Sequence, residues 1–162
     1  MTGYRISGLP LAAFQPLFGL DDAALAERGA IRKVADRTPG FPCRVTLQDA
    51  EPGETLILLN YEHQPAATPF RASHAIFVRE AADLEARFEN EVPPLLRARL
   101  LSVRAFDEAG MMLDADCVEG EALEPLIARF FANPDVAYLH AHSARPGCFL
   151  VRIDRTAPSP EQ

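Results

Sequence analysis

The sequence predicts an α+β protein, a mostly antiparallel sheet with a few helices packed on one side. Three observations carry this. Short apolar or alternating segments bounded by Pro and Gly recur along the 162 residues, the pattern of strands joined by turns. Strands follow strands and seldom alternate with helices, which argues against βαβ units. Only one segment, "EGEALEPLIARFFANP", carries a sustained helical period.

Residues 1–20 read as an extended lead-in whose Leu11, Phe14, Leu17 and Phe18 are free to pack. "DDAALAERG" (21–29) is a short helix, capped by Asp21 or Asp22 and ended by Gly29. "AIRKVAD" (30–36) alternates like a strand. "RTPGFP" is a loop, and "CRVTLQD" (43–49) a strand with Cys43, Val45 and Leu47 on one face. After the turn "AEPGE", the run "TLILLNY" (55–61) is apolar on both faces and reads as a central strand. "EHQPAATPFRAS" (62–73) is a long loop and "HAIFVRE" (74–80) a strand. Residues 81–98 allow a helical turn on each side of Pro93-Pro94. "LLSVRAFD" and "MMLDADCV" form a hairpin around "EAG".

Leu123, Leu126, Ile127, Phe130 and Phe131 then fall at i, i+3, i+4, i+7 and i+8, one apolar stripe. Pro125 belongs in a first turn, so this helix starts near Ala122, and Asn133-Pro134 stops it. Burying the stripe is worth about 7–15 kcal/mol before entropy, an upper bound. "DVAYLHAHS" and "CFLVRIDR" are the last two strands. The length predicts one domain over residues 1–155, with 156–162 a disordered tail.

The net charge is −7, which argues against nucleic acid as a partner. No apolar run is long enough to span a membrane. The N-terminus lacks a signal-peptide pattern, so a cytoplasmic address is expected. Three cysteines, Cys43, Cys117 and Cys148, are an odd number without a CxxC pair. Free thiols are therefore expected. Of sixteen cations all but Lys33 are arginines, whose planar forks suit carboxylates and phosphates.

"YLHAHSARPGCF" (138–149) is the densest group of chemistry-bearing residues. On a strand His140 and His142 share one face. Whether Cys148 joins them depends on the loop. An even number of loop residues turns the thiol away from the histidines, and an odd number turns it toward them.

The set Pro42-Cys43-Arg44, Ala50 to Gly53, Thr68-Pro69-Phe70, the strand "AIFVRE" and Gly147-Cys148-Phe149 resembles a bacterial family known as domain of unknown function 1203. The resemblance spans nearly the whole chain and implies a single domain. It implies no activity and no catalytic residues.

The first functional expectation is a protein that binds a small, anionic ligand in a polar pocket. Its lining is drawn from Arg44, Tyr61, Arg71, His74, His142 and Arg145, near the 39–44 loop, the 62–74 loop and the 140–148 hairpin. Arg44, His74 and His142 are expected at surface positions. The second is an enzyme at the same place, using a His/Cys metal site or an activated cysteine. His63, His74, His140, His142, Cys43 and Cys148 are the candidate ligands. No cofactor is implied, and no motif for serine, phosphate or calcium chemistry is present. A homodimeric interaction module is compatible with either.

Overall fold

A computed structural model of the chain describes residues 2–158. Two antiparallel sheets make up most of it. The larger has six strands. In chain order these are β1 (Gly3–Ser7), β5 (Arg87–Glu89), β6 (Leu100–Phe106), β7 (Met112–Glu119), β8 (Tyr138–Ser143) and β9 (Phe149–Thr156). Their spatial order is β5-β1-β9-β8-β6-β7. The smaller sheet is β2 (Ile31–Val34), β3 (Thr55–Gln64) and β4 (Ala72–Arg79), with β3 in the middle.

The helices are α1 (Asp22–Glu27), α2 (Pro94–Arg97) and α3 (Leu123–Phe131). The Asp21 side chain accepts from the Ala24 N–H at the start of α1. Gly29 follows α1 with φ +68°, where a side chain would be strained. All five residues of the predicted stripe on α3 are buried. They pack with Leu101, Val103, Ala105, Leu139, Ala141, Val151 and Ile153 of the large sheet. Leu95 and Leu96 of α2 join the same core, so α2 and α3 cover one face of that sheet. The other face carries the alternate residues of the central strands.

Five expectations are corrected. The lead-in contains β1, an inner strand between β5 and β9. Its five residues carry only two clearly apolar side chains, Tyr4 and Ile6, too few to signal a strand. "CRVTLQD" is not a strand. Leu47 takes φ 52°, and the segment closes on itself through Leu47 N–H to Cys43 O and Cys43 N–H to Gln48 O. Its alternation reflects burial from several sides. The 62–73 loop is shorter than expected, because β3 runs on to Gln64 and β4 begins at Ala72. Residues 81–98 hold β5, and α2 forms only after the prolines. β9 also extends through Thr156, one residue into the predicted tail, and residues 159–162 of that tail lie outside the described residues. Among the described residues, no helix is long and apolar enough to cross a membrane.

Candidate functional site: a histidine cluster between the sheets

The face of the large sheet that α3 leaves uncovered is built by register. On β8, Tyr138, His140 and His142 point to it. On β6, Phe106, Arg104 and Ser102 lie directly opposite them. Phe149 of β9 faces His142 after a one-residue irregularity in the ladder. Cys117 of β7 lies opposite Ser102.

β3 supplies the covering residue. Tyr61 pairs with His74 and Gln64 with Ala72. Glu62 and His63 therefore oppose Ser73 alone, a β-bulge that bends the strand. Beyond the bulge Gln64 is buried, and its Nε2 donates to the Tyr138 hydroxyl at 2.9 Å. That bond ties the small sheet to the large one. The His63 ring lies 4.9 Å from His142, 6.0 Å from His140 and 5.2 Å from Phe149, centroid to centroid. His140 and His142 are 6.4 Å apart.

One ring nitrogen of each histidine is buried without a hydrogen-bond partner among the described residues: His63 Nδ1, His140 Nδ1 and His142 Nε2. Buried polar atoms normally find partners, so three orphans in adjacent rings are unusual. His140 and His142 are only 2% and 1% exposed. Burial, reinforced by neighbouring Arg104 and the other rings, lowers their pKa values from 6.5 to about 3 and about 4. His63 falls to about 4, chiefly by burial and then by Arg104. The three imidazoles are neutral at pH 7.

Arg104 is half-buried on the same face, and burial lowers its pKa. It makes no hydrogen bond or ion pair within the described residues. Arg152, opposite His140 on β9, lies 4.0 Å above the Tyr138 ring and pairs with Asp154 at 2.7 Å. The arrangement is a buried, partly aromatic cluster beside two arginines, with unused donors and acceptors.

The structure distributes the residues expected from sequence. His142 and His140 sit in the cluster, and His63 covers them. His74 is half-buried, close enough to lower the pKa values of His63 and His142; its Nδ1 lies 3.1 Å from Ala75 O. Tyr61 is opposite His74, and its ring packs 5.8 Å from Phe14. Arg71 donates to Glu62 at 2.9 Å, and Arg145 is exposed in the last turn.

The surface placement expected for Arg44 and His142 is overturned. Arg44 is 2% exposed and spends its donors on the chain itself. Nε reaches Phe149 O at 2.8 Å, Nη1 reaches Pro42 O, and Nη2 lies 3.1 Å from Cys148 Sγ. It locks the 42–50 segment to the end of β9.

The hairpin register is also settled. Ser143 N–H donates to Cys148 O, and Gly147 N–H to Ser143 O. The loop is Ala144–Gly147, an even number, and the Cys148 sulfur lies on Arg44. Cys43 is buried, its sulfur accepting from the Thr46 and Arg79 N–H groups. Among the described residues, no three His, Cys, Asp or Glu side chains are placed to hold one metal ion.

Arg104 and Ser102 were missed in the sequence. Their signal was the alternation of "LLSVRAF", which opposes Ser102 and Arg104 to Leu101, Val103 and Ala105. An arginine on the polar side of an inner strand is a candidate once the strand is known to be inner. A surface groove of about 490 Å³, lined by Thr46, Gln48, Asp83–Phe88 and including exposed Leu84, lies apart from these residues.

Fold and recess together define an α+β protein of two antiparallel sheets with a polar cluster at their junction. The chain belongs to a family of proteins of unknown function, DUF1203, whose model matches residues 40–155. The match takes in β3, β4, β6, β8 and most of β9, and so every residue of the cluster. No curated protein and no solved structure matches the chain.

Proposed function

We propose that the protein binds a small anionic molecule in the recess between the uncovered face of β8 and β6 and the bulged end of β3. One observation carries this: three orphaned imidazole nitrogens lie in adjoining rings beside an arginine that has no acid of its own. Natural interiors seldom leave such groups unused. An oxyanion at Arg104 would receive a charge-assisted hydrogen bond in a site of low dielectric. The surrounding field favours it, since Arg104 has no acidic partner among the described residues and Arg152, paired with Asp154, lies on the same face.

Phe106, Tyr138 and Phe149 supply the apolar walls that small-molecule pockets need. All three cysteines are free, which fits the reducing cytoplasm expected from the sequence.

The test is thermal unfolding with a panel of phosphates and short carboxylates, followed by calorimetric titration of any that stabilise. A ligand that binds only the native state raises the unfolding midpoint with concentration. Arg104→Gln should lose that rise while keeping the midpoint of the free protein within a few degrees. An anion-induced rise that survives Arg104→Gln would place binding elsewhere and remove this reading.

A further inference from the structure

The chain itself fixes the tautomer of His142. Its Nδ1 lies 3.0 Å from the carbonyl oxygen of Gly147. A carbonyl only accepts, so Nδ1 carries the proton and Nε2 of the neutral ring is a lone pair. Gly147 holds that carbonyl in place from the left-handed region, φ +80°, in a turn closed by its own N–H to Ser143 O. His142 Nε2 is buried and has no partner among the described residues. A bare carboxylate or phosphate oxygen is also a lone pair. It satisfies Arg104 and repels Nε2. The recess therefore asks for two different things: an oxyanion at Arg104 and a hydrogen donor at His142.

The distance between them bounds the ligand. Arg104 lies opposite His140, one step diagonally from His142, and such neighbours on a sheet face are about 7–8 Å apart at the backbone, within reach of long side chains. Arg104 is close enough to lower the pKa of His142. Ser102 stands opposite His142, and its hydroxyl also has no partner among the described residues.

Building on the anion-binding reading above, we propose that the ligand is a small hydroxy acid, its carboxylate on Arg104 and its hydroxyl hydrogen donated to Nε2 of His142. Nε2 is buried, so the hydroxyl reaches it only when a covering group moves, and the His63 ring of the small sheet, 4.9 Å from His142 between centroids, is the group assigned that movement. It sits where the ladder register breaks, so its movement leaves the paired residues on either side in place. An acceptor-lined position rejects analogues that lack the hydroxyl, because the buried lone pair then stays unpaired.

The experiment uses the full chain labelled with ¹⁵N-histidine. It is titrated separately with lactate and propionate, with 3-hydroxybutyrate and butyrate, and with inorganic phosphate. The free protein should show His142 with a protonated Nδ1 and a bare Nε2. A hydroxy acid should bind about tenfold or more tighter than its deoxy partner and move the Nε2 resonance toward a hydrogen-bonded value. His142→Phe should erase the preference and keep weak, Arg104-dependent binding of both acids. The wild-type resonance remains a readout if that variant misfolds. Equal binding of hydroxy and deoxy acids, lost in Arg104→Gln, overturns the hydroxy-acid assignment and leaves the anion pocket standing. No response to any of the five probes overturns both.

Discussion

His140 and His142 give up water on folding, and each leaves one ring nitrogen without a partner among the described residues. Protonating His140 inside the fold would place a cation near Arg152 and Arg104, and protonating His142 would place one near Arg104 and His74. The folded state therefore binds fewer protons than the unfolded chain below pH 6.5.

For a depressed histidine this stability is fully present above the unfolded pKa and is lost as pH falls toward the folded one. The window here runs from about 6.5 down to the folded values of about 4 and about 3. By linkage, each of these two rings should subtract about 2 kcal/mol between pH 7 and pH 5. Urea unfolding at the two pH values measures this. His140→Phe should lose about 2 kcal/mol less over the same interval than the wild type. An identical loss in both would mean that His140 is not held neutral.

The residue scale is also where the sequence was least legible. "HAH" was visible as two side chains on one face. Nothing in "PCRVT" distinguishes an arginine that greets a ligand from one that ties Pro42, Cys148 and Phe149 together, because the last two partners are over a hundred positions away.

Elements were legible where their period is local. The α3 stripe, the 100–119 hairpin and the capped α1 follow from neighbouring residues alone. β1 and β5 did not, since a short strand is defined by its partner, and β1 pairs with β9 from the opposite end of the chain. Gly120 shows another signal that only packing reveals. It starts the 3-10 turn before α3, and a Cβ there would stand 1.7 Å from the Leu96 carbonyl oxygen of α2. That oxygen is backbone and has little room to move. Gly120→Ala should destabilise the protein by about 2 kcal/mol or more, through strain rather than lost contacts. Chemical denaturation is the measurement, and a cost below about 0.5 kcal/mol would show that α2 shifts freely.

Across the whole molecule, the two sheets have separate cores but interlocked connections. Arg44 binds the end of β9, Gln64 binds Tyr138, and Cys43 bridges to Phe77 of β4. The chain also passes from the large sheet to the small and back, so the small sheet, residues 31–79, is inserted between β1 and β5 of the large one. These ties predict a single unfolding transition, with far-ultraviolet circular dichroism and tyrosine fluorescence giving the same midpoint and slope. Two separated transitions would mean that the small sheet melts by itself. The α+β class was legible at this scale because it depends only on the succession of strands and helices. The division into two sheets was not, since no composition change separates them.

The additional residue in β3 sets the phase of that strand. Side chains in a strand alternate with a period of two, so one unpaired residue is a half-period step. Up to Tyr61 the strand is in phase with the small sheet. After the step, Gln64 is again paired in the small sheet, opposite Ala72, and its side chain reaches Tyr138 of the large one. Removing Glu62 would restore an unbroken alternation. The pairs Tyr61–His74 and Gln64–Ala72 would keep their faces, with His63 alone opposite Ser73 and the bend of the bulge lost. The position of His63 over the cluster thus rests on the bend that the extra residue puts into β3 as much as on the identity of the side chain.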